Sequence, residues 1–115
     1  MKNPFDSYRI MEFEDSSPIR DFKTIRVFTR GEEFIKILVA EAAPDRWAFG
    51  VSAHLMDGNT YTQLPDLAYG HAENENAAIL YIAGNLLTQK QRFSKDAVAA
   101  IYDCIKKYRT KSIFF

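Results

Sequence analysis

Apolar and polar residues alternate over much of the first half of the chain, and this period of two predicts β-strands. The first predicted strand falls in residues 23–29, where one face carries Ile25, Val27 and Thr29. The second falls in residues 34–40 and is apolar on both faces, which predicts a central position in the sheet. Gly31 between them can take the positive φ that a hairpin turn requires.

The clearest alternation begins at residue 47. One face of this third predicted strand carries large apolar side chains, whereas the other carries small or polar ones. The apolar face holds Trp47, Phe49, Val51, Ala53 and Leu55, and the opposite face holds Gly50, Ser52 and His54. We expect the apolar face to meet the helices. The dipeptide Asp57-Gly58 then predicts a hairpin to a short fourth strand, which Pro65 ends because it has no N–H to donate.

Two helices are predicted next, because apolar residues recur there at spacings of three and four. The first is expected to start near Asn74, and Ser94 is the expected N-cap of the second. The buried stripe of the first helix is Ile79, Ile82, Ala83 and Leu86, and that of the second is Val98, Ile101, Tyr102, Ile105 and Tyr108. Gly84 weakens a helix interior, so we interpret it as a point of close approach to the sheet.

These elements predict an α+β fold of two layers, an antiparallel meander of four to five strands packed against two C-terminal helices. A fifth strand would be an edge strand at residues 8–14. Residues 1–20 could instead form a loosely ordered arm. At 115 residues the chain has the length of one domain, so residues 1–115 are expected to form a single α+β domain.

Composition places the protein in the cytoplasm. Apolar residues make up 47% of the chain, which is typical of a globular protein. The single cysteine, Cys104, cannot form an internal disulfide and fits a reducing compartment. No apolar run approaches the ~20 residues of a membrane-spanning helix, and the first residues lack the apolar core of a signal peptide. We therefore expect no membrane partner.

Charge is balanced overall but unevenly distributed. Residues 1–89 hold 8 basic and 13 acidic side chains, whereas residues 90–115 hold 7 basic and 2 acidic ones. A basic segment that also contains aromatic residues is typical of contact with nucleic acid. Lysine and arginine also favour the last turns of any helix, so both interpretations stay open. The candidate binding residues of this segment are Lys106, Lys107, Arg109 and Lys111.

Candidate chemistry is sparse. His54 and His71 are the only histidines, and neither has a second ligand at metal-binding spacing, so no metal and no cofactor is predicted. Ser52 and His54 share one strand face and could place a nucleophile beside a base, although no Gly-x-Ser-x-Gly turn accompanies them. Cys104 lies in mid-helix, where a structural thiol is expected. No catalytic residue is assigned.

One stretch resembles a known family. Asp57-Gly58, Tyr61 and Leu64-Pro65-Asp66-Leu67, followed by an alanine-rich helix, resemble the HicB-type antitoxin domain over residues 47–87. After Leu67 the chain has Ala68-Tyr69-Gly70, where the family has Pro-Gly-Cys. The resemblance implies a hairpin that leads into a helix. It also implies an antitoxin-type protein, since members of that family neutralise a small RNA-cleaving toxin.

The chain ends on the bulky apolar residues Ile113-Phe114-Phe115. They are expected to fold back on the core, to add a strand to a sheet edge, or to insert into a partner. The sequence thus predicts a small non-catalytic interaction module that binds a protein partner or forms a homodimer. Its candidate binding residues are Ser52, His54, the basic segment, Phe114 and Phe115. A nucleic-acid-binding accessory or antitoxin-type protein, and a small enzyme using His54 or His71, are the alternatives.

Overall fold

The computed structural model describes residues 18–113, with side chains as far as residue 110. Within that range four antiparallel strands form one sheet in the order β1-β2-β3-β4, so each strand pairs with its neighbour in sequence. The strands are β1 (Lys23–Arg30), β2 (Glu33–Ala43), β3 (Arg46–His54) and β4 (Thr60–Gln63). The helices are α1 (Glu75–Leu87) and α2 (Lys95–Ile113), and short 3₁₀ turns lie at Leu67–Tyr69 and Lys90–Arg92.

The predicted α+β meander with two C-terminal helices is confirmed. α1 packs mainly over β2 and β3, and α2 packs over β1 and against α1. The edge strand predicted at residues 8–14 lies outside the described residues, as do Phe114 and Phe115. None of the helices in residues 18–113 has the length and apolarity that crossing a lipid bilayer requires.

The hydrophobic core lies between the helices and one face of the sheet, which we call the inner face. Its sheet side holds Ile35, Ile37, Val39, Phe49, Val51 and Ala53. Its helix side holds Ala78, Ile79, Ile82, Ala83, Leu86, Ala97, Ile101, Cys104 and Tyr108. The predicted inner face of β3 and the stripe of α1 are therefore confirmed.

The stripe predicted for α2 is wrong at one position. Tyr102 is 51% exposed, whereas Cys104 and Tyr108 are buried. Each helical residue turns about 100° from the one before it, so Tyr102 projects away from the side on which Ile101 packs. The buried stripe consists of residues 97, 101, 104 and 108, and the predicted residues Val98 and Ile105 pack beside it, partly buried.

The alternation predicted for β1 is also wrong, because the strand contains a β-bulge. The pairing shifts between Arg26 and Phe28, so that Ile25 lies opposite Ile37 and Phe28 opposite Ile35. The extra residue in the bulge reverses the alternation beyond it. Phe28 therefore shares the inner face with Ile25.

The close approach expected at Gly84 occurs at Gly50. Gly84 is exposed, and a Cβ there would meet nothing within 4 Å. A Cβ on Gly50 would lie 2.0 Å from the carbonyl oxygen of Gln63 and 2.8 Å from the nitrogen of Pro65. Backbone after β4 therefore crosses directly over Gly50 on the face away from the helices, which we call the outer face.

Residues 64–72, which we call the strap, wrap around the edge of β3 that the short β4 leaves uncovered. Pro65 lies over Gly50 on the outer face, and Gly70 lies beside the ring of Phe49 on the inner face. The strap then rejoins the sheet through paired backbone hydrogen bonds between Trp47 and Ala72. This path carries Tyr69 to the helix side of the sheet.

Both helices begin where the sequence predicts. Asn74 Oδ1 accepts a hydrogen bond of 2.8 Å from the backbone N–H of Ala77. Ser94 Oγ accepts one of 3.2 Å from the N–H of Ala97. These bonds satisfy N–H groups that have no partner within a helix.

Candidate functional site

Ser52 and His54 lie on the outer face of β3, but they do not form a pair. The hydroxyl of Ser52 is 2.8 Å from the hydroxyl of Thr62, and His54 Nδ1 hydrogen bonds to the hydroxyl of Thr60. Each side chain is thus engaged across the sheet with a threonine of β4. Gly50, predicted on the same face of the strand, is buried beneath the strap.

The two histidines lie at opposite ends of β3. His71 borders a depression that it shares with Arg46, the first residue of the strand, whereas His54 is the last residue. Eight residue steps of about 3.3 Å separate those ends by roughly 26 Å. The histidines therefore cannot act in one site.

The basic C-terminal segment lies on the exposed side of α2. Lys106, Lys107 and Arg109 are all exposed. Tyr108 is buried, so it offers no free ring on which a base could stack. Tyr102 is exposed and lies one helical turn before Lys106. The next residue, Asp103, is also exposed and places a carboxylate among these basic residues. The side chain of Lys111 lies outside the described residues.

A groove that the sequence did not predict opens between β4 and α1. Because the two helices cover β1, β2 and β3, the inner face of β4 stays open and leaves a volume of about 490 Å³. Apolar side chains of Phe49, Val51, Ile82 and Leu86 contribute to its lining. Its remaining lining residues are Tyr61, Gln63, Tyr69, Tyr81, Asn85, Gln89 and Arg92. We call this feature the tyrosine groove.

Two tyrosines flank the groove with their rings largely in solvent. Tyr69 is 54% exposed and Tyr81 is 55% exposed. The ring of Tyr81 also packs on Phe49, with centroids 4.8 Å apart and planes inclined by 38°. Exposed aromatic rings beside a concave apolar surface are typical of sites that bind another molecule.

The polar lining is rich in hydrogen-bond donors. Arg92 Nη2 donates a hydrogen bond of 3.2 Å to a carboxylate oxygen of Asp57, a residue that does not line the groove. Arg92 Nη1 lies 3.5 Å from Gln89 Oε1. The N–H of Asn59 and then the guanidinium of Arg92 lower the pKa of Asp57. Burial raises the pKa of the Tyr61 hydroxyl, so it stays protonated and can donate. None of the described residues that line the groove carries a carboxylate.

Local sequence patterns do not predict this groove, because its tyrosines come from three separate elements. Tyr61 lies in β4, Tyr69 in the strap and Tyr81 in α1. Only the path of the strap and the width of the helix layer bring them together. The one available sign was that Tyr81 falls outside the predicted buried stripe of its helix.

Within residues 18–113, no group of three histidine, cysteine, aspartate or glutamate side chains is arranged to hold a metal ion. The chain matches no model of a known protein family, no curated protein and no solved structure. The resemblance to the HicB-type domain therefore stays a prediction.

Proposed function

We propose that the protein is a small, non-catalytic interaction module of the cytoplasm that binds an extended segment of a partner protein. The tyrosine groove is the observation that carries this proposal. It combines an apolar floor, exposed aromatic rings and a donor-rich lining. Such a combination suits a polypeptide, which presents apolar side chains and carbonyl acceptors together.

The two edges of the sheet differ in a way that favours binding at β4. The edge strand β1 contains a bulge and three basic residues, features that protect an edge from pairing. β4 has the sequence Thr-Tyr-Thr-Gln and carries no charge. Within residues 18–113 no strand pairs with its outer edge. The backbone of β4 can therefore pair with an added strand. The paired segment would be short, because β4 has four residues.

An added strand would place side chains in the groove. Successive side chains of a strand point to opposite faces, so every second residue of the bound segment would face the groove beside Tyr61 and Gln63. The apolar floor suits an aromatic or branched aliphatic side chain. Arg92 is already paired with Asp57, and the other polar side chains of the lining are uncharged, so they suit an uncharged polar residue. The expected partner segment is thus extended, with one apolar anchor and one uncharged polar side chain.

The test begins with selection of binders from a library of random peptides displayed on phage. Selected peptides are synthesised, and their dissociation constants are measured by fluorescence polarisation with the wild type and three tyrosine variants. We expect Tyr69→Ala and Tyr81→Ala to weaken binding about tenfold or more, as loss of an interface aromatic does. Tyr102→Ala is the matched control, because its side chain is equally exposed but lies on α2.

Tyr69→Ala decides the outcome, because Tyr81 also packs on the core residue Phe49 and its loss can lower stability. The proposal is wrong if no peptide is selected, or if Tyr102→Ala weakens binding as much as Tyr69→Ala. A dimer in sedimentation equilibrium that Tyr69→Ala dissociates would identify a second copy as the occupant and would overturn the proposal of a partner peptide.

A further inference from the structure

The outer face of the sheet presents two rows of side chains that cross all four strands. In one row Arg26, Lys36, Ser52 and Thr62 are successive cross-strand neighbours. In the other row the neighbours are Thr29, Phe34, His54 and Thr60. Three inter-strand spacings of about 4.8 Å give this surface a width of roughly 14 Å. We call it the outer platform.

The outer platform is basic and contains no carboxylate. Arg26 and Lys36 are adjacent in register. Among residues 18–113 no carboxylate pairs with either, whereas Lys23, Arg30 and Arg92 each have an acidic partner. A local surface of two unpaired cations attracts a polyanion even though the whole chain is neutral.

Aromatic rings lie beside these cations. The rings of Phe34 and His54 stack with centroids 6.2 Å apart and planes inclined by 29°. Lys36 Nζ lies 5.1 Å from the centroid of Phe34. A base can stack on such a ring while a neighbouring cation contacts its phosphate. The hydroxyls of the platform add both donors and acceptors for base edges.

We propose that the outer platform binds single-stranded nucleic acid. A surface about 14 Å wide is too broad for the roughly 12 Å major groove of a duplex, whereas single strands can lay unstacked bases on aromatic side chains. An acidic protein would match the cations but would make no use of the stacked rings. The basic side of α2 is the less suitable surface, because Asp103 lies among its lysines and Tyr108 is buried.

The test measures fluorescence polarisation of labelled single-stranded oligothymidine and oligouridine with the full chain. Two phosphate contacts predict a slope of log affinity against log salt of about −1.4, or a roughly sevenfold loss between about 50 and 200 mM salt. Phe34→Leu should weaken binding about fivefold or more, as loss of one base–aromatic stack does. Lys36→Gln should weaken it and flatten the salt slope.

Matched controls separate this surface from the others. Lys106→Gln and Lys107→Gln remove the same charge from α2, and Tyr69→Ala alters the tyrosine groove; all three should leave oligonucleotide affinity unchanged. Melting curves verify that each variant is folded.

Three results would overturn the proposal. The wild type could fail to bind either oligonucleotide, or the α2 variants could weaken binding while Lys36→Gln does not. Polyglutamate could also bind as tightly as oligothymidine and stay unaffected by Phe34→Leu, which would assign the platform to an acidic protein.

Discussion

Of the described glycines, Gly50 is the one that another segment of backbone approaches most closely. The strap crosses over it, and any side chain would displace the carbonyl of Gln63 or the proline that follows β4. The crossing covers one end of the outer face and directs residues 66–72 toward the groove. A single absent Cβ thus permits the path that places Tyr69.

This gives a prediction with a matched control in the same chain. Gly50→Ala should destabilise the protein by about 3 kcal/mol, because a Cβ in contact with backbone can be relieved only by moving that backbone. Gly84→Ala should stabilise it by about 0.5–1 kcal/mol, because Gly84 lies in a helix with open space around it. Urea unfolding monitored by circular dichroism measures both. Equal effects of the two substitutions would contradict the described path of the strap.

Cys104 gives a prediction for pH dependence. Burial raises the pKa of its thiol, and Lys107 opposes this only in part. Because the pKa of the thiol is higher in the folded state, the protonated thiol stabilises the fold at pH values below the ordinary pKa of 9.0. This contribution is lost as the pH rises through the pKa of the folded state. At pH 8 the thiol should react with Ellman's reagent at least about tenfold more slowly than glutathione does. Denaturant should remove the difference, and a rate equal to that of glutathione in the native state would contradict the burial.

At the scale of elements, the start of α2 is tied to the start of β2. The carboxylate of Glu33 accepts hydrogen bonds from the N–H of Ser94 at 2.9 Å and from its hydroxyl at 2.7 Å. The same hydroxyl oxygen accepts from Ala97. Arg30 and Asp96 form an ion pair across the same junction. The cap of α2 is therefore also its attachment to the β1–β2 hairpin.

A double-mutant cycle tests this attachment. Ser94→Ala should destabilise the protein by about 1 kcal/mol through loss of the cap. Ser94→Ala and Glu33→Ala should show a coupling of about 0.5–1.5 kcal/mol, because the two residues share hydrogen bonds. Glu32→Ala, in the adjacent turn, is the control and should change stability by less than about 0.5 kcal/mol. Additive effects of the two substitutions would show that the contact contributes no coupling.

Local patterns predicted the elements well and their irregularities poorly. The alternation in β3 and the stripe of α1 follow directly from which side chains must leave water, so both appear in the sequence. The bulge in β1 does not, because it depends on how Phe28 is paired with β2 and not on local spacing. The interpretation of Gly84 as a point of close approach to the sheet is wrong for a related reason. A glycine in the sequence does not indicate whether another segment of backbone lies beside it.

At the scale of the whole molecule, two surfaces of different chemistry lie on different sides of the sheet. The tyrosine groove opens on the helix side at β4, and the outer platform lies on the opposite face. Of the predicted binding residues, Ser52 and His54 lie on the platform and the described basic residues lie on α2. The groove could not be predicted, because its formation depends on which strands the helices leave uncovered.

The central claim is that the edge of β4 and the tyrosine groove receive an extended segment of a partner. Hydrogen exchange measured by NMR tests it most directly, with the free protein compared with its complex with a selected peptide. An added strand would bond the alternate amides of Thr60–Gln63 that face away from β3, so these amides should change from fast to protected exchange. Unchanged exchange along β4 in a saturated complex would contradict the account.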